Sequence, residues 1–400
     1  MPLSNSKPAP GGLLVVNLLA QISYGLLAMT ICLPSMQEWG HIFARDQAAV
    51  QLTFSAFVVA FGALQLLYGP LSDRYGRKGI LMVGLCLAGL GSVLAALSTS
   101  LELLTLSRTL QGAGSAAGMV TSRSAVQDLF QGPQRTRVMA YIGMTLGLCP
   151  PAATLIGGQI HVHWGWQANF MVMAVLSVAL FLAAWLGFPA SKKVPVAGSH
   201  WFGEMVKAYA VLARERTFGL YVVVLAMTTA TFYVFLAGAP IVLGSYGVGP
   251  DRVGWYIMAV PVAYIVGNFL TSKWIARVGE RRMMVLGQSA AMAGLAVMLV
   301  LGLAQWKTPL AFALPLLLLG MGHGFLNPPA LAGTVGVVPA LAGSAAAVAG
   351  LIQQLMGAAG GYAVGLVTHD GAVNLGLLMG ASTLCAGGAL MLLQRLPATR

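Results

Sequence analysis

The chain has 400 residues, 58% of them hydrophobic and only 8% charged, with a formal net charge of +12. Soluble domains carry roughly 25% charged residues, so this composition excludes a water-solvated globular fold and makes lipid the solvent for most of the chain. The basic excess would point to nucleic acid in a soluble protein, but here the cations fall between long apolar stretches, which excludes that partner.

Those stretches begin near Leu13, Val50, Gly79, Leu103, Val138 and Ala168, and again near Phe218, Gly254, Met283, Leu310, Gly343 and Val373. Each runs about 20 residues, the length that crosses a bilayer as a helix. They predict an all-α polytopic membrane protein of twelve spans. The first stretch has no small-x-small cleavage pattern before Pro34 and reads as an uncleaved helix. With the N-terminus inside, 18 of the 22 Lys and Arg fall in cytoplasmic segments. These include Lys7, the Arg74, Arg77 and Lys78 group, Arg123, Lys192 and Lys193, the Arg277 to Arg282 group, and Arg400. Arg45, Arg252 and Lys307 fall outside, and Arg108 lies within span 4. This asymmetry predicts that both termini are cytoplasmic. The 50 glycines suit helices that approach closely in lipid. Cys32, Cys86, Cys149 and Cys385 lie inside spans at unrelated spacings and read as packing residues, with no metal site.

The longest polar stretch, residues 190–217, divides the chain. It separates an N-terminal six-helix half at 1–189 from a C-terminal six-helix half at 218–400. Its segment from Trp201 to Tyr209 reads as an amphipathic helix on the cytoplasmic surface. The halves repeat. A shift of 203 residues carries Arg74 to Arg277, Gly76 to Gly279 and Lys78 to Arg281, and carries Gly147 to Gly350, Gly157 to Gly360 and Gly158 to Gly361. A duplicated six-helix half is the plan of many secondary transporters, with the solute site at the repeat interface.

Residue patterns then carry a resemblance. Gly69-x-x-x-Asp73-Arg74-x-Gly76-Arg77-Lys78 resembles the loop 2–3 motif of the major facilitator superfamily, and Arg108-x-x-Gln111-Gly112-x-Gly114 is similar to that superfamily's span 4 arginine motif. Gly147-x-x-x-Pro151 with Gly157-Gly158 resembles the motif of its antiporter branches. Ala237-Gly238-Ala239-Pro240 and the stretch from Asn327-Pro328 to Gln353 resemble the bicyclomycin and chloramphenicol resistance branch of drug–proton antiporters. The resemblance implies the major facilitator fold and a monomer in the bacterial inner membrane. It also implies export of drugs or small metabolites in exchange for protons, with no cofactor.

The residues themselves suggest roles. Asp73, the acid of a basic loop, can pair with arginines there, so Gly69, Asp73, Arg74, Gly76, Arg77 and Lys78 form a candidate conformational latch. Arg108 lies about six residues into span 4, and a buried guanidinium needs partners or water. It is expected to face the central cavity and bind an electronegative group of the solute. Gln111, Tyr24, Thr30, Tyr233, His323, Asn327 and Gln353 are further candidates for solute binding or coupling, because they are polar or aromatic at mid-span. Gly147, Pro151, Gly157 and Gly158 are candidates for close helix packing.

One departure from the branch bears on coupling. Its drug antiporters carry an acid just before the Leu-Pro pair of span 1; here Leu33-Pro34 is preceded by Thr30 at that place. The ten acids all fall in loops or at helix ends. No phosphate-cradling loop or Ser-His-Asp arrangement points to ATP use or catalysis. Uptake or facilitated diffusion of a neutral or anionic metabolite, without protons, is therefore a second reading.

Overall fold

The computed structural model describes residues 12–189 and 201–396, and no strand occurs among them. Lys7, Lys192, Lys193 and Arg400, with the first part of the expected linker, lie outside the described residues. In the first half the helices are α1 (Gly12–Thr30), α2 (Met36–Ile42), α3 (Gln47–Tyr75), α4 (Arg77–Ala96), α5 (Leu101–Leu129), α6 (Gly132–Trp164) and α7 (Trp166–Gly187). The linker helix is α8 (Trp201–Arg214). In the second half they are α9 (Arg216–Ser245), α10 (Pro250–Ile257), α11 (Ala259–Val278), α12 (Glu280–Leu303), α13 (Pro309–Ala313), α14 (Leu316–Gly336), α15 (Ala342–Gly365) and α16 (Ala372–Arg395). Span 8 is α10 with α11, and span 10 is α13 with α14.

Eleven of the twelve spans are long and apolar enough to cross a membrane by themselves. The exception is α5, which carries Ser107, Arg108, Gln111, Ser115, Thr121 and Ser122, all buried. Its polar groups are tolerated because α3 and α4 pack along it and hide them from lipid.

Local chemistry sets the ends. Asp46 caps α3 by accepting from Ala49 N at 2.8 Å, and Ser100 caps α5 by accepting from Leu103 N at 3.2 Å. The expected loop between spans 2 and 3 is a single residue. Gly76, at φ 96°, ends α3 and starts α4, so the flanking basic residues sit on helix ends. Its repeat mate Gly279, at φ 85°, does the same between α11 and α12. Left-handed backbone of this kind favours glycine.

The 203-residue repeat is visible in the packing. Gly84 and its mate Gly287 meet the carbonyls of Gly114 and Gly322 on the neighbouring helix. A Cβ on Gly91 would stand 2.5 Å from Gln111 N, and one on its mate Gly294 2.6 Å from Pro315 O. A Cβ on Gly157 would run into the carbonyl of Ile31, and one on Gly360 would stand 2.9 Å from Val234 Cγ2; Ile31 and Val234 are themselves 203 apart. The second glycine of each pair turns to the other half: a Cβ on Gly158 would meet Pro250 O, and one on Gly361 the Phe54 ring at 3.0 Å. A Cβ on Gly147 would meet Ile265 at 2.9 Å, but one on its mate Gly350 would meet nothing within 4 Å.

The halves meet at the face opposite the basic loops, here called the far face. There α3 packs on α15 and α6 on α10. A Cβ on Gly365 would reach Ala48 at 2.5 Å, and one on Gly254 would reach Leu155 at 2.8 Å. Toward the basic face the same helices carry Gly69, Gly143, Gly343 and Gly350, each with open space before it. On that side α8 is docked on the second half through Leu212, which is buried with Phe218, Val222, Ala345 and Ala349.

Gly157→Ala places a methyl where the Ile31 carbonyl already stands, so it is expected to lower stability by about 1–3 kcal/mol. Gly350→Ala, facing open space, is expected to leave the melting temperature of the detergent-solubilised protein within about 2 °C of the parent. Equal melting temperatures for the two variants would show that the glycine contact is not a tight one.

Candidate functional site

Three of the expected site residues come together inside the first half. The Arg108 side chain is fully buried. Its Nη1 donates to Ala28 O at 2.6 Å and to Gln111 Oε1 at 2.5 Å, and its Nη2 donates to Met29 O at 3.3 Å. Gln111 Nε2 donates to Ser92 Oγ at 2.8 Å, and Tyr24 Oη lies 3.4 Å from the same hydroxyl and donates to Met173 O at 3.3 Å. The guanidinium also stands over the ring of Phe57, 4.3 Å from its centroid, with Phe170 at 5.9 Å. The expectation placed its fork toward an open cavity; in this conformation it is closed over by spans 1, 2, 4 and 6.

Two free carbonyls make that possible. Pro34 has no N–H to continue the α1 ladder, and the chain turns after Thr30. Leu33 N bonds Thr30 O at 3.2 Å rather than Met29 O, so Arg108 reaches the carbonyls of the last turn. Thr30, at the position of the branch's acid, donates its hydroxyl to Leu26 O at 2.8 Å and does not touch the guanidinium in this arrangement. The acceptors of Arg108 in this arrangement are thus backbone carbonyls and the Gln111 amide oxygen.

A second cluster forms in the other half. Tyr233 Oη donates to Gln354 Oε1 at 2.9 Å, and Thr229 Oγ1 donates to Gln353 Oε1 at 3.1 Å. Gln354 also presses its Cβ to 2.5 Å from where Gly62 would carry one. Span 2 links the clusters, because Phe57 lies under Arg108 and Phe54 meets Tyr233 edge-on at 5.8 Å. His323 is buried without a hydrogen bond among the described residues, and the Asn327 Oδ1 atom is buried without a partner. Both lie on α14 and are not joined to either cluster by a hydrogen bond.

The basic face carries the latch candidates. Arg77 Nη1 lies 2.6 Å from Asp128 Oδ2 and its Nη2 lies 3.7 Å from Asp73 Oδ1, which ties the α3–α4 corner to the end of α5. Lys78 Nζ donates to Trp185 O at 2.6 Å on α7. Arg74 is exposed beside Tyr75 and Gly69 faces open space. Of the packing candidates, Gly157 and Gly158 make the contacts described above, and Pro151 is buried in α6. Sequence reasoning missed Asp128, Ser92, Phe54, Phe57 and Phe170 as partners. Asp128 was legible as an acid at a helix end; nothing in an apolar run marks which phenylalanine will face a guanidinium.

A sequence model of the Major Facilitator Superfamily matches residues 13–361. The chain belongs to that superfamily. It is 27% identical over 373 residues to multidrug resistance protein D of Escherichia coli K12, covering 92% of each chain. It is 28% identical over 302 residues to a chloramphenicol resistance protein of Pseudomonas aeruginosa, covering 74% of this chain and 70% of that one. The bicyclomycin resistance protein homolog of Haemophilus influenzae is 25% identical over 370 residues. Among solved structures, a peptide transporter complexed with alafosfalin superposes with a TM-score of 0.76 at 14% identity, covering 95% of this chain and 94% of that one. A D-xylose–proton symporter gives 0.74 at 16%, covering 96% and 98%. These confirm a multi-pass membrane transporter with the twelve-helix major facilitator fold, and the sequence likeness is to the bicyclomycin and chloramphenicol resistance branch.

In this member the arginine motif holds the end of span 1 by its carbonyls. Arg108→Ala leaves two buried carbonyls and the Gln111 amide unpaired and is expected to cost about 3 kcal/mol of stability and to abolish transport. Arg108→Lys keeps the charge but loses the planar fork, so turnover in reconstituted vesicles should fall at least about tenfold, the equivalent of 1.4 kcal/mol. Wild-type turnover by either variant would remove Arg108 from the transport machinery.

Proposed function

We propose that the protein exports drugs or small metabolites across the bacterial inner membrane by alternating access, in exchange for protons. The match to multidrug resistance protein D over nine-tenths of both chains carries this reading. The geometry supports it: the halves are joined at the far face and part toward the basic face, as an export pump must do while it loads solute from the cytoplasm. The positive-inside rule puts the basic face and both termini in the cytoplasm. The solute-binding surface combines the Arg108, Gln111 and Tyr24 cluster with the Tyr233, Gln353 and Asn327 side of the other half, with Thr30 and His323 near the route of coupling. The protein acts as a monomer and performs no catalysis.

In the same reading the Asp73, Arg77 and Asp128 group is a latch at the basic face. Asp73→Asn weakens it without touching solute, so turnover is expected to fall about tenfold with normal membrane insertion and solute affinity changed less than twofold. Unchanged turnover would reduce Asp73 to an anchor of topology.

A second reading, movement of a neutral or anionic metabolite without protons, draws on one observation. The two terminal nitrogens of Arg108 are held by the Ala28 and Met29 carbonyls and the Gln111 amide oxygen, with no carboxylate beside them, although its buried Nε has no partner among the described residues. Inverted vesicles separate the two. Under proton antiport, adding a transported compound collapses an imposed pH gradient, and abolishing the gradient stops accumulation. Accumulation that ignores the gradient would favour the second reading.

A further inference from the structure

The far face is closed by glutamines of one half that grip carbonyls of the other. Gln37 Nε2, on α2, donates to Pro240 O. Gln51 Nε2, on α3, donates to Ala237 O at 3.1 Å. Both acceptors lie in the Ala237-Gly238-Ala239-Pro240 turn of span 7. A helical carbonyl keeps a second lone pair after its ladder bond, and those of Ala237 and Pro240 use it to accept these donors from outside the helix. Farther along the seam Gln159 Nε2 donates to Asp251 O at 3.1 Å and Ser55 Oγ to Ala358 O at 2.8 Å. At this face no ion pair among the described residues joins the halves; Glu38–His161, Arg45–Glu102 and Asp251–Arg252 each stay within one half.

Two details mark the clasp as releasable. Gln51 is fully buried, yet its Oε1 has no partner, so the closed state leaves one amide atom unsatisfied. Just outside the clasp lies a cavity of about 420 Å³ lined by Gln37, Gln47, Ile241, Gly244, Val248 and Gly249. That is within the size range of small-molecule pockets, and it carries no charged side chain. Its walls come from both halves, and Gln37 belongs to the wall and to the clasp at once.

We infer that Gln37 and Gln51 are the positioning residues of the far-face gate, and that the cavity outside them is the vestibule through which solute passes on that side. The two amides hold span 7 while the basic face is open. When they let go of the Pro240 and Ala237 carbonyls, the halves part at the far face and the vestibule becomes continuous with the interior. Neutral donors on backbone carbonyls suit this task, because each bond is weak when net of solvation and does not change with pH. The inference rests on the alternating-access reading above but not on the solute or the direction of transport.

Accessibility measurements test it. In a background with Cys86, Cys149 and Cys385 replaced by Ser, Ser55→Cys reports on the seam and Gly350→Cys on the basic-face opening. An impermeant maleimide is applied to one face at a time in oriented vesicles. Gln51→Met keeps the side-chain length and removes the donor; Gln37→Met does the same at a partly exposed site, where folding is not at stake. Either variant is expected to speed far-face labelling at position 55 about tenfold and to slow basic-face labelling at position 350, with turnover reduced. A rise at both positions would mean general loosening, and no change at either would mean the glutamines do not gate; both outcomes overturn the inference. Reciprocal shifts in a protein that moves no test compound would uphold the gate and count against the export reading alone.

Discussion

A guanidinium cannot shed its proton inside a membrane protein, so Arg108 must be surrounded by acceptors wherever it is buried. It finds them in the last turn of α1, whose final carbonyls, Ala28 and Met29 among them, have no intrahelical donor because the helix ends at Thr30. Gln111 supplies a third acceptor and Phe57 a π face. Spans 1, 2 and 4 are thereby fixed to one another at mid-depth, and the Ser92 and Tyr24 hydroxyls extend the network to spans 3 and 6. The helices of the first half are tied together at this depth because a charge with no carboxylate partner draws its acceptors from several of them at once.

Elsewhere the helices are held by backbone contact. Lipid offers no hydrophobic drive for helices to associate, so close approach and van der Waals contact must supply it. The glycines at 84, 91 and 157 and their mates at 287, 294 and 360 place backbone against neighbouring helices within each half. Gly158 and Gly361 apply the same device across the seam. Duplication has thus copied two kinds of surface, one that builds a half and one that lets the halves meet.

The two faces differ in the chemistry of their contacts. At the basic face Arg77 lies between Asp73 and Asp128, and Lys78 bonds a carbonyl of α7, all within the first half. At the far face the bonds between halves are neutral, from glutamine and serine side chains to carbonyls. Charged contacts hold one body in shape, and weak uncharged ones join two bodies that have to separate.

The sequence by itself determined the twelve spans, the duplication and the branch of the family, because apolar length, period and fixed spacing are local properties of the chain. It also singled out Arg108, Gln111 and Tyr24, since polar groups at mid-span are costly enough to stand out. Span 4 was legible as apolar from Leu103, yet its polar load is tolerable only because α3 and α4 cover it, which is a fact of packing. Tertiary structure alone decided that Arg108 faces carbonyls and not an open cavity, that Phe57 and Asp128 are partners, and that Gln37 and Gln51 reach across the seam. Those choices depend on which groups meet from positions 51 to 203 residues apart, and such pairings leave no periodic trace along the chain.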